Sequence, residues 1–350
     1  CTTRQGKGRA VFAVPGDIAA ATGGYEYARR LLAALPWLRQ LPLPGAFPHP
    51  TPADLDLTAA QLSAVPPQTP LLIDGLAFGA LPARDITAIQ APIVALVHHP
   101  LCLETGLPPD LARHFRETER HALAHATSVI ATSPTTAAWL ADHFAVPSDR
   151  LAVAPPGTQR AAKAPRIGNP PRLLAVGAVS RRKAYDQLVD ALSGLSHRAW
   201  TLSIAGDLDR DPTATALLKA AIDRHHLSHR VTLTGRIPAD DLAMHYEQAD
   251  IFVSASQFEG YGMAIADALS HGLPLVAVAG GAVAATTAGD AALLCPPGDP
   301  VALRDALARM ITDPATRDAC AAASWARAQT LPRWEHTAAI IAAILARAAR

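Results

Sequence analysis

The 350-residue sequence is short of several things that would have marked it for particular kinds of work. It has almost no net charge, with 31 basic against 30 acidic side chains. A polycationic face for nucleic acid therefore has no compositional support, although a local basic patch against a membrane surface stays open. Cysteine is scarce: Cys1, Cys102, Cys295 and Cys320 show no CxxC and no metal spacing. That excludes a disulfide scaffold or zinc ribbon. It fits a reduced intracellular compartment with the thiols as small buried hydrophobes. No GxGxxG follows any apolar run, which argues against a nicotinamide dehydrogenase. Long hydrophobic runs are missing too. The longest uncharged stretch, 272–289, is broken by glycines, Pro274 and two threonines, and reads as a buried strand and turn. The chain starts at Cys1 without Met, which implies a trimmed or partial N-terminus, and no signal-peptide pattern is read there.

Hydrophobic residues make up 50% of the chain, but aromatics only 5%, so Ala, Leu and Val carry the packing. In the first half, "AVFAVP" (10–15), "LLIDG" (71–75), "IVALVHHP" (93–100), "SVIATS" (128–133) and "RLAVAPPG" (150–157) read as strands. The second half repeats the pattern at 172–177, 201–207, 231–235, 251–256, 274–280 and 291–299. Helical periods such as 23–35, 110–125, 184–194 and 213–226 lie between them. Apolar runs that do not alternate, joined by helical crossovers, indicate parallel sheets covered on both faces. Two such sets predict two doubly wound, Rossmann-like α/β domains facing across a cleft, joined by a linker at 157–171. The expected boundaries are 1–165, 166–333 and a last helix at 334–350.

Ligands of such sheets sit beyond the carboxyl ends of the strands, so the post-strand loops carry the interest. Thr22, Gly23 and Gly24 precede a helical period, where paired glycines let N–H groups face an anion. The alternative there is a plain tight turn. His98 and His99 end a strand, and since neighbours on an extended chain point to opposite faces, at most one serves a given site. Arg181, Arg182 and Lys183 sit just before a helix, where the dipole disfavours cations unless an anion offsets the cost. Asp207 and Asp209 resemble a metal-binding DxD pair, but the spacing is common and Arg210 can pair internally, so no metal is assigned.

The stretch "FEGYGMAIADALSHGLP" (258–274) holds the densest chemistry. It reads as a post-strand loop and a helix from about Gly262 to Ser270. Glu259 lies before the helix and Asp267 eight residues on, about 80° beyond two full turns, so both acids can face one long ligand at different depths. Backbone N–H groups of Gly260, Tyr261, Gly262 and Met263 would cradle a phosphate between them. A ligand with hydroxyls at both ends and phosphates in the middle is a nucleotide-diphosphate sugar.

On Glu259, Asp267, "VHHP", the basic pair before helix 184 and "PPGD" (296–299), the chain resembles the family-4 retaining glycosyltransferases of GT-B fold, over almost its whole length. The resemblance implies hexosyl transfer from a GDP- or UDP-sugar to a carbohydrate or lipid-linked acceptor, with retention and without a metal. It implies a cytoplasmic enzyme, at most peripheral to the inner membrane face. Glu259 would meet the donor sugar, Asp267 the ribose, Arg182 and Lys183 the diphosphate. Gly23 and Gly24 would approach the phosphates, His98 the transferred sugar and Arg236 the base. The last helix would cross back to the first domain, which would bind the acceptor while the second binds the donor. The chain departs from the family pattern at Asp267 (commonly Glu), at Ala178 (commonly Arg), and at Ala284 and Ala285, where an acid is frequent. A nucleotide-sugar epimerase and a non-catalytic nucleotide-sugar-binding protein are the alternatives.

Overall fold

The computed structural model of the chain describes residues 10–350, so Cys1 and the reading of the N-terminus lie outside it. Every strand pair is parallel. The first sheet comprises β1 (Ala10–Pro15), β2 (Leu38–Leu43), β3 (Leu71–Asp74), β4 (Ile93–Val97), β5 (Ser128–Ala131) and β6 (Leu151–Val153), ordered β2-β1-β3-β4-β5-β6. The second comprises β7 (Arg172–Val176), β8 (Thr201–Ala205), β9 (Val231–Gly235), β10 (Ile251–Ser254), β11 (Leu275–Val278) and β12 (Ala292–Cys295), ordered β12-β11-β10-β7-β8-β9. Strands β1, β3, β4, β10 and β11 are buried at every residue, as continuous apolar runs between two helical layers must be.

One strand escapes the apolar-run criterion. β2 ("LRQLPL") carries Arg39, Gln40 and Pro42 and lies at the sheet edge, bonded to β1 alone. An edge position tolerates polar side chains and a proline that lacks its N–H.

The chain separates into two compact units, one ending at Gly157 and taking up Pro332–Arg350, the other Thr158–Leu331. The polar stretch 157–171, expected as a linker, is from Thr158 onward bound into the second unit. Ala164 N–H donates to His271 O at 2.8 Å, and Gly168 and Arg172 N–H donate to Asp250 at 2.8 and 2.7 Å. In the first unit, helix Trp334–Ala348 lays Ala338, Ile341, Ile344 and Leu345 against Tyr27, Ala28 and Leu31. Thr337 Oγ1 donates to Pro155 O at 2.6 Å. Gly157 is required there, because a Cβ would stand 2.1 Å from Trp334 N.

Strand order reverses between β1 and β3 in the first sheet and between β10 and β7 in the second. At such switch points the loops leaving the strands diverge and open a crevice at their carboxyl ends. Both units place chemistry-bearing residues there.

Candidate functional site

In the second unit, the loop after β7 and the loop after β10 flank the switch point. The first tightens into a one-turn 3₁₀ helix, Arg181–Lys183, with Ala184 at φ 49°. The second delivers Glu259, which is 9% exposed. Lys183 Nζ donates to Glu259 Oε1 at 2.6 Å, and Arg182 Nη1 lies 3.3 Å from Oε2 while donating to Phe258 O at 2.8 Å. Burial alone would raise the Glu259 carboxyl. The Lys183 and Arg182 charges outweigh it, with hydrogen bonds from Lys183 and Ser256, and hold the group down at about 2. The carboxylate is therefore a fixed anion, and two cations converge on it. Arg181 is exposed and stands apart, its backbone N–H meeting Asp211.

Glycines set this geometry. Gly280 and Gly281 back the Glu259 loop, with Glu259 and Gly281 forming a parallel bridge. Glu259 N–H donates to Gly280 O at 3.2 Å and Ala282 N–H to Glu259 O at 2.8 Å. A Cβ at Gly281 would meet Glu259 O at 2.3 Å. Helix Met263–Ser270 begins from Gly262 at φ 90°, with no side chain capping it. Asp267 lies half-buried on the second turn of that helix, close enough to Tyr246 to add to the effect of burial in pushing its hydroxyl up. Tyr261 and Met263 turn their side chains to the apolar core. Thr286 Oγ1 secures the backbone there by donating to Tyr261 O at 2.5 Å.

In the first unit, His98 leaves β4 and meets groups from three other elements. Its Nε2 lies 3.4 Å from Asp74 Oδ2 at the end of β3. Its ring meets Tyr27 edge-on at 5.1 Å, and Thr132 Oγ1 donates to its carbonyl at 3.2 Å. Gly23 and Gly24 form the first turn of helix Gly23–Ala34, capped by Thr22. A Cβ at Gly24 would sit 3.7 Å from His98 Cδ2, an ordinary contact, so packing alone does not demand glycine. His99 turns instead to Glu104, with Nε2 3.7 Å from Oε2.

Arg236 is exposed at the end of β9 and donates to Asp207 Oδ2 at 2.6 Å. Asp207 also accepts Asp209 N–H at 2.9 Å, so its carboxylate is occupied, and by Arg236 rather than Arg210. Among the described residues no group of three or more His, Cys, Asp or Glu is placed to hold a metal ion. Cys102, Cys295 and Cys320 are free and buried. Asp74, Tyr27, Gly177 and the Gly280–Gly281 pair were not singled out as site residues by sequence reasoning. The one signal for Asp74 is an acid closing an otherwise apolar buried strand.

A family model described as "Glycosyltransferase Family 4" matches residues 70–161, and one described as "Glycosyl transferases group 1" matches 170–313. The chain is a GT-B-fold protein of two Rossmann-like domains, related to the glycosyltransferases of these models. A D-inositol 3-phosphate glycosyltransferase of Pseudarthrobacter chlorophenolicus is 30% identical over 69% of this chain and 60% of its own length. A mannosylfructose-phosphate synthase of Agrobacterium fabrum is 29% identical over 56% and 49%. The chain thus spans about half to three-fifths of the curated relatives it matches. Among solved structures, sucrose-phosphate synthase from Thermosynechococcus elongatus superposes with a TM-score of 0.79 at 22% identity, covering 97% of this chain and 98% of that one. HepE of Anabaena with UDP-glucose gives 0.77 at 17%, covering 97% and 99%. At these identities the likeness is one of fold.

Proposed function

We propose that the protein is a retaining glycosyltransferase, moving a hexosyl group from a GDP- or UDP-sugar to an acceptor hydroxyl in polysaccharide, lipopolysaccharide or glycolipid assembly. The observation that carries this reading is the convergence of Lys183 and Arg182 on buried Glu259 at the switch point of the second sheet. Charge builds on the departing diphosphate as the bond to the sugar breaks, and preorganised cations lower that barrier most. Lys183 and Arg182 supply them, with N–H groups of the Gly260–Met263 turn. Glu259 takes the sugar hydroxyls near the reacting carbon and Asp267 the ribose. In the first unit, which receives the acceptor, His98 serves the transferred sugar and the helix start at Gly23 and Gly24 the phosphates. Arg236 contacts the base. Acceptor attack comes from the face the diphosphate leaves, and the leaving phosphate takes the proton. The donor class is supported by HepE, a neighbour in fold that was solved with UDP-glucose.

Metal is not needed where two cations already meet the leaving group, and Asp207 is engaged by Arg236. Among the described residues no helix is long and apolar enough to cross a membrane. A lipid-linked acceptor would bring the protein to the inner face of a membrane as a peripheral enzyme.

The test is incubation with GDP- and UDP-sugars and an acceptor panel in EDTA, reading the anomeric configuration of the product by NMR. Retention in EDTA is expected. Conversion of the donor sugar without acceptor would point to an epimerase, binding without turnover to a binding protein, and rescue by Mn²⁺ or Mg²⁺ to a metal site.

A further inference from the structure

We infer that Asp74 is the positioning residue for His98, holding the imidazole with Nε2–H toward its carboxylate so that Nδ1 is the nitrogen offered to the sugar. This rests on the reading of His98 given above. Asp74 is 4% exposed, and a buried carboxylate is costly unless its oxygens are engaged. One oxygen is used structurally, since Oδ1 accepts Leu76 N–H at 2.9 Å and caps the short helix Gly75–Phe78. Asn or Ser caps a helix as well as Asp does, so capping leaves the negative charge unexplained. The other oxygen, Oδ2, stands 3.4 Å from His98 Nε2.

His98 Nε2 is itself buried and without a hydrogen-bond partner among the described residues. The side chain is nonetheless 23% exposed, so the part of the ring that reaches solvent lies away from Nε2. A small ring rotation turns the 3.4 Å contact into a hydrogen bond. The hydrogen bond made by one ring nitrogen sets the role of the other. The remaining neighbours hold the ring rather than compete for its proton. Tyr27 packs edge-on, its own hydroxyl donating to Ala154 O at 2.9 Å, and Tyr27 is in turn packed by Trp334 at 5.4 Å. Thr132 binds the His98 carbonyl. Asp74 and His98 end adjacent parallel strands, with Asp74 in register with Leu96, so the pairing is built into the sheet.

The experiment compares wild type with Asp74→Asn and Asp74→Ser, both of which keep a helix cap. Side-chain ¹⁵N–¹H correlation spectra read the His98 tautomer, melting reads the fold, and kinetics with the full donor reads function. The expected result is Nε2–H in the wild type and its loss in both variants. With it, kcat should fall roughly 10- to 100-fold while the donor KM holds within about twofold. Tm should stay within about 2 °C because the cap is kept. An unmoved tautomer, a wild type carrying the proton on Nδ1, or an unchanged kcat overturns the inference. The spectra are read whether or not any donor turns over. A failed transferase reading would therefore show as a silent assay with the tautomer shift intact, and a failed Asp74 inference as an active enzyme whose tautomer does not move.

Discussion

Lys183 occupies the space that a side chain at Gly177 would need. A Cβ there would stand 2.6 Å from Lys183 Cε and 3.0 Å from Nζ, on backbone already at φ 142°. The glycine just after β7 is what lets the ammonium reach Glu259. Gly177→Ala should therefore displace Lys183, since the obstructed atoms are the far end of a flexible chain, and also strain the backbone at φ 142°. Losing one charge-assisted contact to phosphate costs about 1.5–3 kcal/mol, or roughly 10- to 100-fold in donor-dependent rate. In a double-variant cycle with Lys183→Ala, the second change should add little. Additive losses would mean that Gly177 acts elsewhere, for instance through its carbonyl, which accepts the Tyr185 hydroxyl at 3.1 Å.

The two acids of the 258–274 stretch are expected to fail in different ways. If Glu259 meets the donor sugar as proposed, Glu259→Gln keeps the shape but removes that charge, so kcat should fall while the free nucleotide diphosphate binds nearly as before. With Asp267 on the ribose as proposed, Asp267→Asn would remove a contact made in ground and transition states alike, which raises KM more than it lowers kcat. Calorimetry with the nucleotide diphosphate and kinetics with the full donor separate the two. If Glu259→Gln lost nucleotide affinity and Asp267→Asn kept it, the donor would lie the other way round.

Acid should unfold the second unit partly through Glu259. Its carboxyl sits at about 2 in the folded chain, below the ordinary glutamate value of 4.5. A depressed folded value contributes stability above about 4.5, and that contribution is lost as pH falls towards about 2. Urea midpoints for wild type should drop through that window, and Glu259→Gln should flatten the drop. An equal slope in both would remove Glu259 from the account.

Glu119 has the opposite sign. It is 1% exposed on helix Pro109–His125, and burial pushes its carboxyl up to about 8 although Leu101 N–H donates to Oε2 at 2.9 Å. Between about 4.5 and 8 the unfolded chain has released this proton and the folded chain has kept it, so stability falls as pH rises through that window. Glu119→Gln, an amide that can still accept from Leu101, should remove this slope and be the more stable protein at pH 8. A wild type with the same pH slope as Glu119→Gln between pH 5 and 8 would show the carboxyl ionised in the fold.

Much of the architecture was legible because buried parallel strands are continuous apolar runs. All six strands of the second sheet and five of the first announce themselves that way, while β2 stays hidden by Arg39, Gln40 and Pro42 at its edge position. The loop of Glu259 was legible from an acid set among glycines before a helix. Which cation meets it was not, because Arg181, Arg182 and Lys183 are adjacent in sequence. Only the 3₁₀ turn and the left-handed Ala184 separate the inward pair from the exposed Arg181.

Local pattern by itself determined the class of the elements, the helix that opens after Glu259 and the glycine turns at the helix starts. It did so because hydrophobic period, glycine placement and helix ends depend on residues a few positions apart. Tertiary structure decided the pairings: Lys183 with Glu259 across 76 residues, Asp74 with His98 across neighbouring strands, and Arg236 with Asp207 in place of Arg210. Strand order alone sets those contacts, since it chooses which post-strand loops stand side by side, and order is an outcome of packing the whole sheet.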